Sequence, residues 1–448
     1  MAKRILALTA LAISLLVPAR LLAAHRAPTT PQTQSSTSAS ISPTQTSSAT
    51  TPAYSLPPDK LARAIAFEHA RIFLHFASTA WTLLALLFLL GLHVPARFRD
   101  WAEACTQWKW LQGCVFIPLL LLALSFVSLP VDIYAQHLYR EYGQSVQHWN
   151  SWFWDWTKSL LLTLLVGTLI LSLLQRIIRR SPHRWWFWFW LATIPILIFS
   201  IFISPILIDP IFNKFEPLQT MDPALVTQLE QLTAHGGLDI PPSRMYWMKA
   251  SAKVTGLNAY VTGFGSSKRI VVWDTTIQKA TPDEILFILG HEMGHYVLNH
   301  IYKGLAFAIA VLFVVLWLGY HAVHWLVRRF GDAWQIRGVD DWAVLAVLFL
   351  ALAVFSFFLE PIDNSFSRMQ EHHADIYGQE AIHGIVANPQ RTAQQAFQLL
   401  GEVGLDDPNP SHFVEFWTYS HPSTAQRAAF AAHYNPWQPG RHPRYFQK

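Results

Sequence analysis

Long runs of apolar residues, with few charged positions inside them, dominate the chain between residues 72 and 359. The six runs lie at 72–94, 111–131, 156–174, 185–208, 301–326 and 342–359. Each run is close to the ~20 residues that a helix needs to cross ~30 Å of hydrocarbon. Buried helices of soluble proteins are rarely this long and this poor in charge. The pattern therefore predicts six membrane-spanning helices.

The first 58 residues have a different pattern. Residues 1–24 combine a basic start, an apolar run and the small residues Ala23 and Ala24, which is typical of a secretory signal peptide. Arg20 interrupts this run, so an uncleaved membrane anchor is the alternative. Residues 25–58 are rich in Ser, Thr, Pro and Ala, a composition that predicts a disordered linker.

A hydrophilic stretch, 209–300, separates the fourth apolar run from the fifth. Short β-type segments at 260–261 and 269–273 flank a turn-forming stretch that contains Gly263 and Gly265. Thr281, followed by Pro282 and Glu284, predicts a capped helix start. We therefore expect an α-helical multi-pass membrane protein with a small α+β unit. Its parts are a four-helix membrane region at 59–208, the first part of the α+β unit at 209–300, two membrane helices at 301–360 and the C-terminal part of the α+β unit at 361–448.

Composition supports the membrane assignment and argues against nucleic-acid binding. Charged residues make up 14% of the chain, against about 25% in soluble proteins, and there are 20 Trp residues. The formal net charge is +5, but the basic residues lie in short loops and form no continuous stripe. Two cysteines, Cys105 and Cys114, are too few for a disulfide framework or an all-cysteine zinc site.

The chemistry is expected at residues 291–295, which read His-Glu-Met-Gly-His. On a helix, His291 and His295 share one face and can bind a single zinc ion through neutral imidazoles. Glu292 lies beside them and can act as general base toward a metal-bound water. This five-residue pattern also arises by chance, but the flanking apolar residues indicate burial, and buried polar groups need partners.

A catalytic zinc site needs a third protein ligand, and candidates follow the sixth apolar run. Glu371 and Asp375 are four residues apart and share a helical face. Glu371 could ligate the metal while Asp375 accepts a hydrogen bond from a ligating histidine. His372 and His373 are alternative ligands, and spacing alone gives Glu371 only a modest preference.

Residues 367–375 read Ser-Arg-Met-Gln-Glu-His-His-Ala-Asp, and with the 291–295 motif they resemble the CAAX prenyl protease family of membrane zinc metallopeptidases. That family's wider clan contains the bacterial heat-shock protease HtpX. Its pattern is H-E-x-x-H, two membrane helices, and then S-R-x-x-E-x-x-A-D. The resemblance implies that Glu371 is the third ligand of one zinc ion per chain and that the α+β unit is a zincin-like catalytic unit.

Two further segments resemble family elements. Asn258, Ala259 and Tyr260 match an edge strand beside the metal, which implies that they hold an extended peptide substrate. His421 and Arg427 match a late H-P-x-x-x-x-R element, which implies that they lie near the substrate and steady the oxyanion. The eukaryotic members have seven membrane helices and cut prenylated proteins. The six counted here make peptides and misfolded or membrane proteins the more expected substrates.

Basic residues concentrate in three short loops, and their positions indicate which side of the membrane each loop faces. They are Arg97, Arg99 and Lys109, then Arg176, Arg179, Arg180 and Arg184, and then Arg328, Arg329 and Arg337. All three loops fall on one side of an alternating topology, which the positive-inside rule makes cytoplasmic. The catalytic unit then faces the periplasm from a bacterial inner membrane. A cytoplasmic catalytic side, as in HtpX and the eukaryotic enzymes, is the competing placement.

The sequence thus predicts a zinc metalloendopeptidase embedded in the lipid bilayer. A transporter or structural membrane protein with a non-catalytic H-E-x-x-H is the alternative. In a transporter, polar groups inside the membrane helices would line a pathway for the transported substrate or ion. They gather instead around the metal motif, which favours the enzyme.

Overall fold

The computed structural model describes residues 52–263 and 265–446. The predicted signal peptide and residues 25–51 of the predicted linker lie outside the described residues. The last part of that linker is folded, because Tyr54 is buried and its hydroxyl donates to the carbonyl of Asp406 at 2.8 Å. The packed part of the chain therefore begins several residues before position 59, where the composition changes.

The N-terminal half is a set of long helices joined by short connections. They are α1 (Pro58–Gly91), α2 (Val94–Cys105), α3 (Lys109–Glu141), α4 (Trp149–Arg180), α5 (Trp185–Leu207) and the single turn α6 (Asp209–Phe212). All except α2 and α6 are long and apolar enough to cross a membrane. The helix α2 was not predicted, because its twelve residues carry four charges and no long apolar run.

A small mixed sheet follows, with four strands in the order β1-β2-β4-β3. The strands are β1 (Phe215–Pro217), β2 (Met245–Met248), β3 (Ala259–Thr262) and β4 (Arg269–Trp273). The helix α7 (Pro223–His235) lies between β1 and β2, and β3 pairs antiparallel with β4, with Tyr260 opposite Val271. The predicted hairpin is thus confirmed, and β3 is one of the two edge strands of the sheet, with β1 at the other edge.

The remaining elements of the described residues are mostly helices. The elements are α8 (Asp274–Lys279), α9 (Pro282–Val297), α10 (His300–Phe330), α11 (Val344–Ala381), α12 (Pro389–Gly404), α13 (His412–Thr418) and α14 (Thr424–His433). Both α10 and α11 could span a membrane, which brings the candidate spans among the described residues to the predicted six. The structure therefore confirms the fold class: a multi-pass helical body with a small α+β unit.

Helix α11 runs 22 residues beyond the apolar segment that ends at 359. Pro361 lies inside it, and the Ser365 hydroxyl donates to the Pro361 carbonyl at 2.7 Å. Its first half is buried in the apolar core of the membrane body, and its second half reaches the core of the catalytic unit. One continuous helix therefore joins the membrane body to the site.

Helices α9 and α11 cross at unusually close range, and glycines make this possible. A Cβ at Gly378 would lie 2.7 Å from the backbone nitrogen of His291, and one at Gly290 would lie 3.1 Å from the Gly378 carbonyl oxygen. A Cβ at Gly294 would meet the Tyr377 side chain at 3.0 Å. These contacts leave no room for larger residues, so the crossing fixes how residues 371–375 face the 291–295 motif.

Candidate active site

The motif helix α9 begins as the sequence predicts. The Thr281 side chain accepts from the Glu284 backbone nitrogen, and the Glu284 carboxylate accepts from the Thr281 backbone nitrogen. This capping box satisfies two backbone groups at the helix start. One turn of spacing then places His291 and His295 on the same face, where both are buried and their Nε2 atoms lie 3.1 Å apart.

Glu371 meets the two histidines from the crossing helix α11. Its Oε2 lies 3.2 Å from His291 Nε2, and its Oε1 lies 3.5 Å from His295 Nε2. One ligand atom from each of these three buried residues fits within a group no wider than 4.8 Å. The structure thus brings together the three residues predicted as ligands.

The donor set fits a zinc ion. In a tetrahedral site with bonds of roughly 2.0–2.2 Å, the ligand atoms are about 3.4 Å apart, close to the separations found here. Glu371 Oε2 is fully buried, and its contacts with His291 Nε2 at 3.2 Å and the Arg427 guanidinium at 3.7 Å do not have the geometry of a well-formed hydrogen bond. A buried carboxylate oxygen in this situation is costly unless a cation or donor compensates it. Two imidazoles and one carboxylate are ligands typical of catalytic zinc.

The second nitrogen of His291 is held by Asp375, as the sequence predicted for a ligating histidine. His291 Nδ1 lies 2.8 Å from Asp375 Oδ1. Burial works against protonation, but the hydrogen bonds to Asp375 and Glu371 raise the pKa of His291 to about 9. The pocket therefore favours a positive charge at this position.

Arg427 lies behind Asp375. Its Nε donates to Asp375 Oδ2 at 2.9 Å and its terminal nitrogen donates to Oδ1 at 2.5 Å, which is a bidentate pair. The same terminal nitrogen is 3.7 Å from Glu371 Oε2. The guanidinium is thus engaged with the carboxylates around the site, whereas the sequence analysis expected it beside the substrate.

His300 was missed by the sequence analysis. Its Nδ1 lies 3.0 Å from Nδ1 of His295, and the residue is 2% exposed. A tight reversal places it there, because Asn299 adopts φ of 58° and α10 begins one residue later. The signal that could have revealed it is a third histidine five positions after His295, just past the helix end.

His421 lies at the edge of the ligand group. Its Nε2 is 3.2 Å from Glu371 Oε1, and its side chain is about one third exposed. Helix α11 holds the preceding segment, since Asn364 donates to the Trp417 carbonyl at 2.6 Å and Arg368 donates to the Glu415 and Tyr419 carbonyls at 3.0 and 2.5 Å. Arg368, part of the 367–375 segment, therefore fixes the loop that carries His421.

Glu292 is positioned beside the histidines with an uncommitted oxygen. Its Oε2 is buried, and no described residue gives it a hydrogen bond. A carboxylate oxygen in this setting can accept a proton from a water molecule.

The two histidines that were alternative candidates for the third ligand, His372 and His373, are outside the group formed by His291, His295 and Glu371, and His372 is exposed.

The segment predicted to bind substrate lies at the sheet edge next to α9. Both backbone groups of Asn258 bond to the Thr276 hydroxyl at 2.8 Å, so they hold the fold together. The side chains of Ala259 and Tyr260 are buried. On the side away from β4, strand β3 pairs with no other strand in the part of the chain that the structure describes.

Comparison with known proteins gives a consistent result over both parts of the molecule. Residues 220–435 match the family model described as Peptidase family M48, and residues 44–214 match the one described as CAAX prenyl protease N-terminal, five membrane helices. The chain is 35% identical over 386 residues to a metalloprotease, YhfN, of Bacillus subtilis, which covers 85% of this chain and 87% of that protein.

Two yeast proteins extend the comparison. CAAX prenyl protease 1 of Saccharomyces cerevisiae is 31% identical over 229 residues, or 51% of this chain and 48% of that protein. The crystal structure of S. mikatae Ste24p is 23% identical and has a TM-score of 0.72, covering 85% of this chain and 90% of the other. The fold is therefore shared with Ste24p along most of both chains.

Proposed function

The chain belongs to peptidase family M48, and from this premise we propose that it is a zinc endopeptidase whose ligands are His291, His295 and Glu371. The observation that carries the proposal is the convergence of three buried ligand atoms from two crossing helices. Zinc, when bound, supplies a Lewis acid that lowers the pKa of water and polarises a carbonyl group. The remaining steps depend on the chain's own residues.

Glu292 is the proposed general base. Its buried Oε2 takes the proton from the attacking water, and the resulting carboxylic acid can pass that proton to the leaving amine. His421 is the proposed oxyanion donor, since its Nε2 reaches the ligand group while part of the ring is exposed to an incoming substrate.

Three residues are proposed to orient the ligands. Asp375 fixes the tautomer of His291 by accepting from Nδ1, which leaves Nε2 free for the metal. Arg427 holds Asp375 in place through the bidentate pair, so we assign it a positioning role in place of the expected contact with the oxyanion. His300 accepts from Nδ1 of His295 in the same way.

The proposed substrate is a polypeptide that lies extended beside β3. An outermost strand offers backbone groups to which a peptide can add as a further strand, which binds it by main-chain hydrogen bonds. This position, next to α9, would carry the peptide across the ligand group. The relatives include CAAX prenyl proteases, and for this chain we propose the broader substrate class of peptides and misfolded or membrane proteins.

We further propose that the protein lies in a bacterial inner membrane with its site on the extracytoplasmic side. The three basic loops support this orientation by the positive-inside rule. Protease protection of a tag at the C-terminus in sealed inverted vesicles tests it. A protected tag agrees with the proposed side, and a digested tag assigns the site to the cytoplasm.

The decisive test of the chemistry compares wild type with Glu292→Gln, both purified in detergent. We expect about one zinc per chain in each, cleavage of casein or a quenched peptide by wild type, and a loss of at least roughly 1000-fold in the variant. Equal cleavage by the two proteins would remove Glu292 from the mechanism, and wild type without zinc would refute the metallopeptidase assignment.

A further inference from the structure

The short helix α13 has its polarity reversed relative to a helix on a water-exposed surface. Phe413 and Phe416 lie one turn apart and are 58% and 51% exposed. Glu415, its one acidic residue, turns inward, where its two carboxylate oxygens accept from the Ser423 backbone nitrogen and the Gln426 side chain at 3.1 Å each. An outward apolar face with an inward carboxylate indicates contact with lipid more than with water.

The contacts of α13 place it at the level of the membrane boundary. Phe413 stacks on Phe76 of α1 with 6.3 Å between ring centroids, and Trp417 packs on Phe357 of α11 at 4.9 Å. Phe76 lies near the start of the first apolar run, and Phe357 lies near the end of the sixth. Both aromatic residues therefore belong to the outer end of the hydrocarbon region on the same side as the site.

The exposed face of α13 adjoins apolar surface that the neighbouring helices present. On α11, Phe358, Ile362 and Met369 are about half exposed or more and follow one another at helical spacing. On α1, Phe73 is 61% exposed one turn before Phe76. The apolar face of α11 thus extends past the end of its apolar run to Met369, two residues before Glu371.

We propose that α13 is a membrane-interface anchor whose Phe413 and Phe416 insert into the lipid bilayer and seat the edge of the active site on the membrane surface. The occupant of this face is the bilayer, because the face is continuous with surfaces of two membrane helices.

Coupling between the anchor and the site is short and direct. The segment after α13 is held from α1 as well as from α11, because the Tyr419 hydroxyl donates to the buried Glu68 carboxylate of α1 at 2.8 Å. His421 follows two residues later. Insertion of α13 therefore sets the height of His421 relative to the lipid, so that a polypeptide emerging from the bilayer meets the site without crossing bulk water.

Depth measurement by spin labelling tests the anchor without relying on the proposed chemistry. Nitroxides are attached at Phe413→Cys and Phe416→Cys in a Cys105→Ser, Cys114→Ser background and reconstituted in phospholipid vesicles. Leu84→Cys on the exposed face of α1 is the lipid reference, and Arg391→Cys on α12 is the water reference. We expect relaxation of the two α13 labels by oxygen to exceed that by a water-soluble nickel chelate, as for Leu84→Cys.

Two other outcomes would overturn the proposal. Spin labels that are relaxed mainly by the nickel chelate would place α13 in water, and labels that are shielded from both reagents would show that protein covers it.

A second measurement uses the unaltered chain. A carbene photolabel dissolved in the lipid should modify Phe413 or Phe416, while the 389–404 helix stays unmodified. Absence of label from α13, with α1 labelled in the same sample, would also refute insertion.

Discussion

The membrane body and the α9–α11 crossing are held together in different ways. In the membrane body, large apolar side chains such as Leu86 and Phe116 fill the core, and lipid can cover the outward faces. At the crossing, glycines bring two backbones into contact, and buried charged groups satisfy one another. The body therefore tolerates changes of shape on its outside, whereas the crossing depends on the exact separation of two helices.

Among the changes that compare these two regions, the largest effect on cleavage is expected from adding one methyl group at the crossing. In Gly378→Ala the new Cβ meets the backbone of His291, so the helices must separate. We expect about 1–3 kcal/mol of destabilisation. The displacement of Glu371 from the histidines should reduce cleavage by roughly 100-fold.

Gly319→Ala on α10 is the matched control, since nothing lies within 4 Å of the added atom. It should be neutral or stabilise by up to about 1 kcal/mol. Thermal unfolding and peptide cleavage are measured for Gly378→Ala and Gly319→Ala. If the two substitutions change stability and cleavage equally, close packing at the crossing is not what holds the site together.

The next largest effect is a loss of zinc affinity when the hydrogen bond between Asp375 and His291 is removed. Asp375→Asn keeps the size of the side chain but removes its charge, and its amide can present a donor to Nδ1. Zinc affinity should fall by roughly 10–100-fold, as for other partners of metal-bound histidines. Competition with a chelator measures the affinity. An unchanged dissociation constant would mean that the Asp375–Arg427 pair supports only the fold.

A smaller effect is expected at His300, because a neutral imidazole is a weaker hydrogen-bond acceptor than a carboxylate. His300→Leu removes the acceptor and should weaken zinc binding by about tenfold. His300→Asn can place an amide oxygen near the position of Nδ1 and should restore most of the affinity. His324→Leu, near the far end of the same helix, is the control. If His300→Asn and His300→Leu behave alike, the hydrogen bond to His295 is unimportant.

The smallest effect on zinc binding is expected in the membrane body. Leu86→Ala empties a buried position and should cost about 2–5 kcal/mol of stability, whereas Leu84→Ala on the exposed face of α1 should cost far less. Zinc content per folded molecule should stay at wild-type level in both. Zinc loss in Leu84→Ala would show that the outer face of the body is coupled to the site.

The same contrast explains what could be predicted from the sequence. Apolar runs and the capping box depend on local patterns, so the six spans and the start of α9 could be predicted directly. The roles of His300 and Arg427 depend on which groups meet across a tight turn and between separate helices. Helix α2 carries too mixed a pattern to stand out, and the length of α11 is concealed by the polar residues that follow its apolar run.

The choice of the third ligand shows most clearly what sequence patterns cannot predict. Spacing left Glu371, His372 and His373 as alternative ligands, because all three lie on one short segment. Glycines at 290, 294 and 378 decide which of them faces the motif, since they set how α9 and α11 cross. That preference is a property of two helices packed together, and the pattern of one segment does not contain it.

The central proposal is a single zinc ion that two residues of α9 and one of α11 would hold. The most direct measurement is zinc content with X-ray absorption spectroscopy on wild type, Glu371→Ala and His373→Ala. We predict about one zinc per wild-type chain, bound by two imidazoles and oxygen ligands at roughly 2.0–2.2 Å. Glu371→Ala should lose the zinc, and His373→Ala should keep it. Retention of zinc with an unchanged spectrum in Glu371→Ala would contradict the account.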